Sequence, residues 1–214
     1  MARSNSIVIW VCIIAALAGL LFGLDIAYVN GSLDLIRQEF HLSNDESQQI
    51  AGYLLAGAAA GAFCSGWLSR KFGRKKVLVL SGLIFTVFTF SGMLSHTIQV
   101  FLISRFIIGI AVGIASFVAP LYLSEIAPYK IRGGLIALYQ LMITIGIFLM
   151  FISNAALLHT HSWRIMMSVL LVPSIIMFLS CLTLPESPRW LFLTGKVKQA
   201  EEILSRIRQS KEEV

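Results

Sequence analysis

Six long apolar stretches constrain the fold of this chain more than any other feature of its sequence. They lie at residues 7–30, 47–69, 77–95, 99–123, 133–158 and 164–184. A helix needs about 20 consecutive apolar residues to cross a bilayer, and backbone in lipid must satisfy its hydrogen bonds within the helix. Only 13% of the residues are charged, about half the share typical of soluble domains. The sequence therefore predicts an all-α membrane protein built on a six-helix transmembrane bundle.

The basic residues predict the orientation of the spans, since Lys and Arg collect in the cytoplasmic loops of membrane proteins. If the spans alternate in direction, nearly all basic residues fall on one side: Arg3, the cluster at 70–76, Lys130, Arg132 and those within 189–211. Both termini are therefore expected in the cytoplasm. The net charge of +6 then reflects membrane topology rather than a nucleic-acid site.

The opposite side is expected to begin with an acidic loop between the first two spans. Its acidic residues are Asp34, Glu39, Asp45 and Glu46. A rival interpretation of the N-terminus is a signal peptide that is cleaved after Ala18. Six spans are favoured, because such cleavage would remove one span and disturb the sorting of the charges.

Two ionisable residues lie deep in apolar sequence, Asp25 in the first span and Arg105 in the fourth. The first span runs outward and the fourth inward. Each residue lies about six positions, or roughly 9 Å, from the predicted outer end of its span. Opposite charges at equal depth on antiparallel helices predict an ion pair.

This pair has two interpretations. In the structural one, each charge only satisfies the other, but a buried pair stabilises little because desolvation can outweigh the attraction. In the functional one, Asp25 binds and releases a proton. A nearby Arg105, which keeps its charge, favours the ionised carboxylate, whereas desolvation favours the neutral acid when the two separate. The functional interpretation is favoured, since intramembrane charges usually mark ion or substrate paths.

Small and polar residues in other spans carry two weaker signals. Glycines recur four residues apart in three spans, at 19 and 23, 57 and 61, and 109 and 113. Such pairs let helices approach closely and predict a compact bundle, although a single pair can arise by chance. Gln140 and Thr144 share one face of the fifth span. An amide suits the hydroxyls of a polyol, but a hydrogen bond between helices is an equal alternative.

The sequence shows no pattern typical of an enzyme or of a cofactor site. The three cysteines, Cys12, Cys64 and Cys181, lie far apart in apolar stretches. They are expected to be packing residues, because no disulfide framework or metal-ligand spacing appears. We therefore predict no cofactor, no metal and no catalytic residue.

Charged residues recur where the second, fourth and sixth spans end. The three segments are GWLSRKFGRKK (66–76), SEIAPYKIRGG (124–134) and PESPRW (185–190). Glu125 and Arg132 are seven residues apart, and Glu186 and Arg189 are three apart. The repetition predicts an ion-pair network that locks the cytoplasmic ends together, and the alternative is a set of solvated charges.

The last segment differs from the spans. In KVKQAEEILSRIR (196–208), Val197, Ala200, Ile203, Leu204 and Ile207 form one apolar stripe, which is typical of an amphipathic helix. This helix is expected either to dock on the bundle or to lie on lipid. We divide the chain into a six-helix bundle at 1–186 and the start of a cytoplasmic linker at 187–214.

These motifs resemble the N-terminal half of a sugar porter of the major facilitator superfamily. The resemblance rests on GLLFGLDIAYVNG, GWLSRKFGRKK, RFIIGIAVGIASFVAPLYLSEIAPYKIRGG and PESPRWL, in that order, and it covers essentially the whole chain. YQLMITIGI (139–147) is similar to the bacterial galactose– and arabinose–proton symporters. The resemblance implies a twelve-helix transporter that works by alternating access, with sugar bound near the midplane between two halves.

The resemblance also implies roles for individual residues. Asp25 matches the proton-coupling carboxylate of the symporters, and Arg105 matches its partner. Gln140 matches a sugar-binding glutamine, and Phe22 matches an aromatic residue that lines the sugar site. The cytoplasmic gate of the family is matched by Gly73, Arg74, Glu125, Arg132, Glu186 and Arg189.

Two departures from the family pattern narrow these expectations. Arg70 stands where the superfamily loop usually has an acid, which weakens any claim of charge pairing there. Ile147 replaces a second binding glutamine of xylose-type porters, so xylose is less favoured.

The expected function is secondary active transport of a monosaccharide coupled to protons, with this chain as the N-terminal half of the transporter. The expected partners are a monosaccharide, protons, the lipid of the inner (plasma) membrane and a second six-helix half that the chain lacks. Alone, the chain is not expected to transport. The alternatives are a proton-coupled exporter of another solute on the same fold and a nonfunctional truncated membrane fragment.

Overall fold

A computed structural model describes residues 2–128 and 131–207. The helices within these residues are α1 (Ala2–Phe40), α2 (Asn44–Phe72), α3 (Arg74–Met93), α4 (Ile98–Ile126), α5 (Arg132–Leu157), α6 (Trp163–Ser168), α7 (Leu171–Thr183), α8 (Pro188–Leu193) and α9 (Val197–Ile207). A 3₁₀ turn at Leu158–Thr160 follows α5. Among the described residues, six segments are long and apolar enough to cross a membrane, and α6 with α7 forms the sixth. The predicted all-α, six-span fold is confirmed.

The expected acidic loop between the first two spans is wrong. Helix α1 continues to Phe40, and α2 begins at Asn44. The acidic residues therefore lie in the helices: Asp34 and Glu39 in α1, and Asp45 and Glu46 in the first turn of α2. Only residues 41–43 connect the two helices, because Ser43 and Glu46 form a reciprocal capping box that starts α2 at once.

The sixth span is divided into α6 and α7, although the sequence predicted one helix. The backbone N–H groups of Val169 and Leu170 donate to carbonyls only three residues back, at Met166 and Met167. Pro173 has no N–H to offer the Val169 carbonyl, and its ring crowds that carbonyl. The proline therefore accounts for the change in helix geometry just before it.

Glycines bring the helices together in two close pairs, α2 with α4 and α1 with α5. A Cβ atom on Gly57 or Gly61 would collide with backbone carbonyls of α4, and one on Gly109 or Gly113 would collide with those of α2. The same holds where Gly23 of α1 meets α5. The compact packing predicted from the paired glycines is confirmed.

Helix α4 lies at the centre of the bundle and contacts α1, α2 and α3. In its most apolar window 61% of the residues are buried, against 28% in α2 and 22% in α5. Helices α2 and α5 therefore each leave much of their surface uncovered by the described residues.

The amphipathic segment forms α9 and docks on the protein. Ala200 is buried in a small cluster with Trp190 and Leu191 of α8, and Ile203 packs against this cluster. Of the two placements left open by the sequence, docking is the one observed. Arg208, which the prediction included, lies outside the described residues, as do Lys130 and Lys211 of the orientation argument.

Candidate functional site

Asp25 and Arg105 form an ion pair inside the bundle. Arg105 Nη1 donates to Asp25 Oδ1 over 2.6 Å, and Nη2 donates to Oδ2 over a longer 3.4 Å. The Asp25 side chain is 1% exposed and the Arg105 side chain is 0% exposed. Helices α1 and α4 carry the pair, so the contact predicted from equal depth is present. The pair links two helices through charge in a region that water does not reach in this structure.

The pair has few other polar partners. Arg105 Nε is buried and has no hydrogen-bond partner among the described residues. The guanidinium instead lies over the ring of Tyr28, with 5.6 Å from Cζ to the ring centroid. Arg105 thus depends on one carboxylate and one aromatic face, an arrangement that makes its environment sensitive to the charge on Asp25.

Phe22 lies one turn before Asp25 on α1 and is half-buried. It lines a cavity of about 10 Å³ together with Tyr139 of α5, Phe85 and Ser116. The Tyr139 hydroxyl is buried and has no partner among residues 2–128 and 131–207. A space of this size admits at most about one water molecule, so it cannot itself hold a sugar.

Gln140 and Thr144 are both exposed on α5. Within the described residues the Gln140 amide makes no hydrogen bond, so it does not tie α5 to another helix of this bundle. That observation removes one basis for the packing interpretation. The amide faces outward on a helix that is mostly uncovered.

A second group of charges, here called the helix-end cluster, comprises Arg74, Glu125, Glu186 and Ser187. Arg74 and Glu125 form a bidentate pair, with 2.9 Å from Nε to Oε2 and 2.7 Å from Nη2 to Oε1. The Ser187 hydroxyl also donates to Glu125, over 2.6 Å. Arg74 Nη1 donates to the Ser69 carbonyl over 3.1 Å. Each charge of this pair therefore has an additional partner.

Glu186 closes the start of α3 rather than pairing with a guanidinium. Its Oε1 accepts from the backbone N–H groups of Arg74 and Lys75, over 2.9 and 3.0 Å. A carboxylate is stabilised there by the unpaired N–H groups and the dipole of the helix. Gly73, which joins α2 to α3, has φ 94° and ψ 160°, and a Cβ there would collide with the Glu186 carboxylate.

The two remaining residues of the predicted network lie outside its ion pairs. Arg132 Nη2 donates to the Ala127 carbonyl over 3.5 Å, and its Nε has no partner among the described residues. Arg189 is exposed and makes no hydrogen bond or ion pair within that part of the chain. Within the described residues, Glu125 does not pair with Arg132 and Glu186 does not pair with Arg189, so the predicted network is present only in part, as the Arg74–Glu125 pair. Arg74 and the start of α3 provide the partners, because α3 packs on α4 and its first residues reach both Glu125 and Glu186.

Comparison with known proteins decides the family. The family described as "Sugar (and other) transporter" matches residues 11–214. This chain belongs to that family.

The relatives of this sugar-transporter chain include sugar–proton symporters. It is 44% identical over 212 residues to the galactose–proton symporter of Escherichia coli K12, covering 99% of this chain and 46% of the relative. It is 40% identical over 203 residues to the arabinose–proton symporter of the same organism, covering 95% and 43%. These relatives are transporters rather than enzymes. The chain spans about half the length of the curated relatives it matches.

Solved structures agree with this family assignment. The proton:xylose symporter XylE bound to 6-bromo-6-deoxy-D-glucose matches with a TM-score of 0.86 at 30% identity, over 95% of this chain and 50% of that chain. An inward-open xylose transporter XylE from E. coli matches with a TM-score of 0.82 at 30% identity, over 95% and 53%. The transporter chain is therefore a multi-pass membrane protein with the fold of half a major facilitator.

Two residues of these sites were missed by reasoning from the sequence. Ser187 donates to Glu125, which lies 62 positions earlier in the chain. The sequence signal at Ser187 is its position before Pro188, which is typical of a helix cap. Tyr28 lies three residues after Asp25, one turn along the same helix face. That spacing could have predicted that Tyr28 lies near Asp25, whereas the contact of Ser187 with Glu125 could be seen only in the folded structure.

Proposed function

We propose that this chain forms the N-terminal half of a monosaccharide–proton symporter that works by alternating access. It would lie in the inner (plasma) membrane with both termini cytoplasmic. Residues 1–186 would form the bundle and residues 187–214 would begin the cytoplasmic linker. Three observations support this proposal. The relatives include symporters, these relatives are about twice as long as this chain, and the basic residues fall on one side if the spans alternate.

The observation that carries the proposal is the buried contact between Asp25 and Arg105. Proton uptake by Asp25 removes the negative charge that holds Arg105. The tie between α1 and α4 is then weakened, and the two helices are free to shift relative to each other. A proton can thereby be linked to a change in conformation.

Gln140 and Phe22 are proposed as this half's contacts with the sugar. Gln140 offers a donor and an acceptor on an uncovered face of α5, which supports a site shared with a second half. Phe22 offers an aromatic surface to the apolar side of a sugar ring. The helix-end cluster, with Gly73, Arg132 and Arg189, is proposed as this half's part of the cytoplasmic gate.

Transport with Asp25→Asn tests the proton role. The chain is reconstituted with the second half of a galactose-type relative, and uptake of labelled hexoses and pentoses is followed with and without an inward proton gradient. The variant is expected to lose proton-driven accumulation and to keep sugar exchange, because it cannot release a proton. Asp34→Asn is the matched control, since Asp34 is exposed on the same helix. Unchanged accumulation in Asp25→Asn would contradict the proposal.

Sugar binding with Gln140→Ala tests the substrate role. Loss of hydrogen bonds to a sugar hydroxyl is expected to weaken affinity roughly tenfold, measured by equilibrium binding to the same reconstituted protein. Leu141→Ala, at an exposed neighbouring position, is the control. An affinity equal to that of the control would exclude Gln140 from the sugar site.

A further inference from the structure

Tyr28 is placed so that it acts on the buried pair without belonging to it. It lies on α1, one turn after Asp25, and is 0% exposed. The Arg105 guanidinium lies 5.6 Å from the centre of its ring, within the range of a cation–π contact. Because Arg105 Nε has no partner among the described residues, the ring is a large part of what stabilises this cation beyond Asp25.

The ring of Tyr28, rather than its hydroxyl, makes the useful contact. The hydroxyl lies 3.5 Å from the Trp163 carbonyl, which is long for a hydrogen bond from a hydroxyl group. The other neighbour of the hydroxyl is Ser32, whose own hydroxyl donates to the Tyr28 backbone carbonyl over 2.8 Å. Neither contact reaches Arg105 or Asp25, so removal of the hydroxyl should change little at the buried pair. Removal of the ring would leave a buried guanidinium without its aromatic face.

We infer that Tyr28 is a positioning residue for proton exchange: its ring holds Arg105 while Asp25 carries a proton. The inference rests on the proposed function, in that Asp25 exchanges a proton. When Asp25 is ionised, its carboxylate neutralises Arg105. When Asp25 is protonated, Arg105 keeps its full charge in a dry site, and the ring face then contributes most. Tyr28 therefore stabilises the arrangement in which Asp25 is protonated and Arg105 has lost its counter-charge.

Among the described residues, few other charged groups lie near the pair. Helix α1 contributes Asp25 and Tyr28, α4 contributes Arg105, and α6 contributes Arg164, whose charge also acts on Tyr28. Away from their ends, α2, α3, α5 and α7 contain no Asp, Glu, Lys, Arg or His. Their remaining titratable side chains are the phenols of Tyr53 and Tyr139 and the thiols of Cys64 and Cys181. Arg164 is itself paired with Glu39 over 2.7 Å, so Arg105 is the cation that links Tyr28 to Asp25.

Infrared difference spectroscopy tests the inference on the whole chain in lipid vesicles. The carbonyl stretch of protonated Asp25 is followed against pH and is identified by its absence in Asp25→Asn. Tyr28→Phe keeps the ring and is expected to titrate at the same midpoint as the wild type. Tyr28→Leu removes the ring and is expected to lower the midpoint by about one pH unit.

A fluorinated series keeps the test independent of folding. Phenylalanine with increasing numbers of ring fluorines at position 28 is nearly isosteric, and each fluorine withdraws electron density from the ring face. The midpoint should fall stepwise along the series. Such a graded shift is not expected if Tyr28 only fills space.

Each alternative result overturns the inference in a recognisable way. A flat fluorinated series, or equal midpoints in Tyr28→Leu and wild type, would leave proton exchange intact but remove the role of the ring. An equal shift in Tyr28→Phe and Tyr28→Leu would assign the effect to the hydroxyl. If no wild-type band titrates and disappears in Asp25→Asn, proton exchange at Asp25 itself is wrong, and the inference fails with it.

Discussion

The buried pair and the helix-end cluster use the same chemistry in opposite ways. Arg105 and Asp25 are almost fully buried, and Arg105 has no second hydrogen-bond acceptor among the described residues. In the helix-end cluster, Glu125 accepts from both Arg74 and Ser187. If Asp25 loses its charge, Arg105 loses its counter-ion. If the contact with Arg74 breaks, Glu125 still accepts from Ser187.

The buried pair can therefore act as a switch, whereas the helix-end cluster can keep the helix ends together. A buried charge with one partner is strongly affected when that partner is neutralised. A cluster with shared partners loses only part of its stabilisation when one contact breaks. Arg74 and Glu125 are also nearly buried, at 7% and 2% exposed, but they line an open cavity of about 370 Å³ at the bundle end, where water can replace a lost contact. Substitutions in the two regions should therefore lower the free energy of unfolding by different amounts.

Breaking the buried pair is expected to have the largest effect. Arg105→Met leaves Asp25 buried without a partner and should lower the free energy of unfolding by about 3–5 kcal/mol. The measurement is unfolding of the chain in mixed detergent micelles at one fixed pH.

The double variant Asp25→Asn/Arg105→Met shows whether charge causes this loss. It removes both charges and should recover most of the stability, since uncharged replacement of a buried pair is often nearly neutral. If the double variant is as unstable as the single one, packing rather than the unpaired carboxylate explains the effect.

The contrast between the regions also explains what the sequence could predict. The six spans and α9 follow from apolar pattern alone, and the Asp25–Arg105 contact follows from depth, which hydropathy reports. The partners of Glu125 and Glu186 could not be predicted, because Arg74 lies 51 positions before Glu125 and 112 positions before Glu186. Local spacing carries no information about such contacts.

The extension of α1 to Phe40 illustrates the same limit. The segment after Gly31 contains enough polar residues to look like a loop. In the structure Ile36 is fully buried, and the Trp163 indole donates to Glu39 over 2.6 Å. Tertiary contacts therefore continue the helix where local composition favoured its end.

An intermediate effect is expected when the helix-end cluster loses its cation. Arg74→Met removes two hydrogen bonds to Glu125, but the Ser187 hydroxyl and water remain available to that carboxylate. The expected loss is about 1.5–3 kcal/mol, measured by the same unfolding assay. Lys76→Met, at an exposed position of the same helix, is the control. A loss as large as that of Arg105→Met would contradict the distinction between the two regions.

The smallest effect is expected at Gly73, which positions the cluster without carrying charge. Its φ of 94° with ψ of 160° is a conformation nearly restricted to glycine. Alanine there strains the backbone and displaces the Glu186 carboxylate from the start of α3, so Gly73→Ala should cost about 1–2 kcal/mol.

Gly66→Ala provides the matched comparison for Gly73→Ala. Gly66 lies within α2, and an added Cβ there meets no atom within 4 Å. Because alanine favours a helix more than glycine does, this variant should be neutral or more stable by up to about 1 kcal/mol. Opposite signs for the two variants would locate the strain at the junction of α2 and α3. Equal stabilities would show that the junction relaxes freely, and the cluster would then hold Glu186 less firmly than its hydrogen bonds indicate.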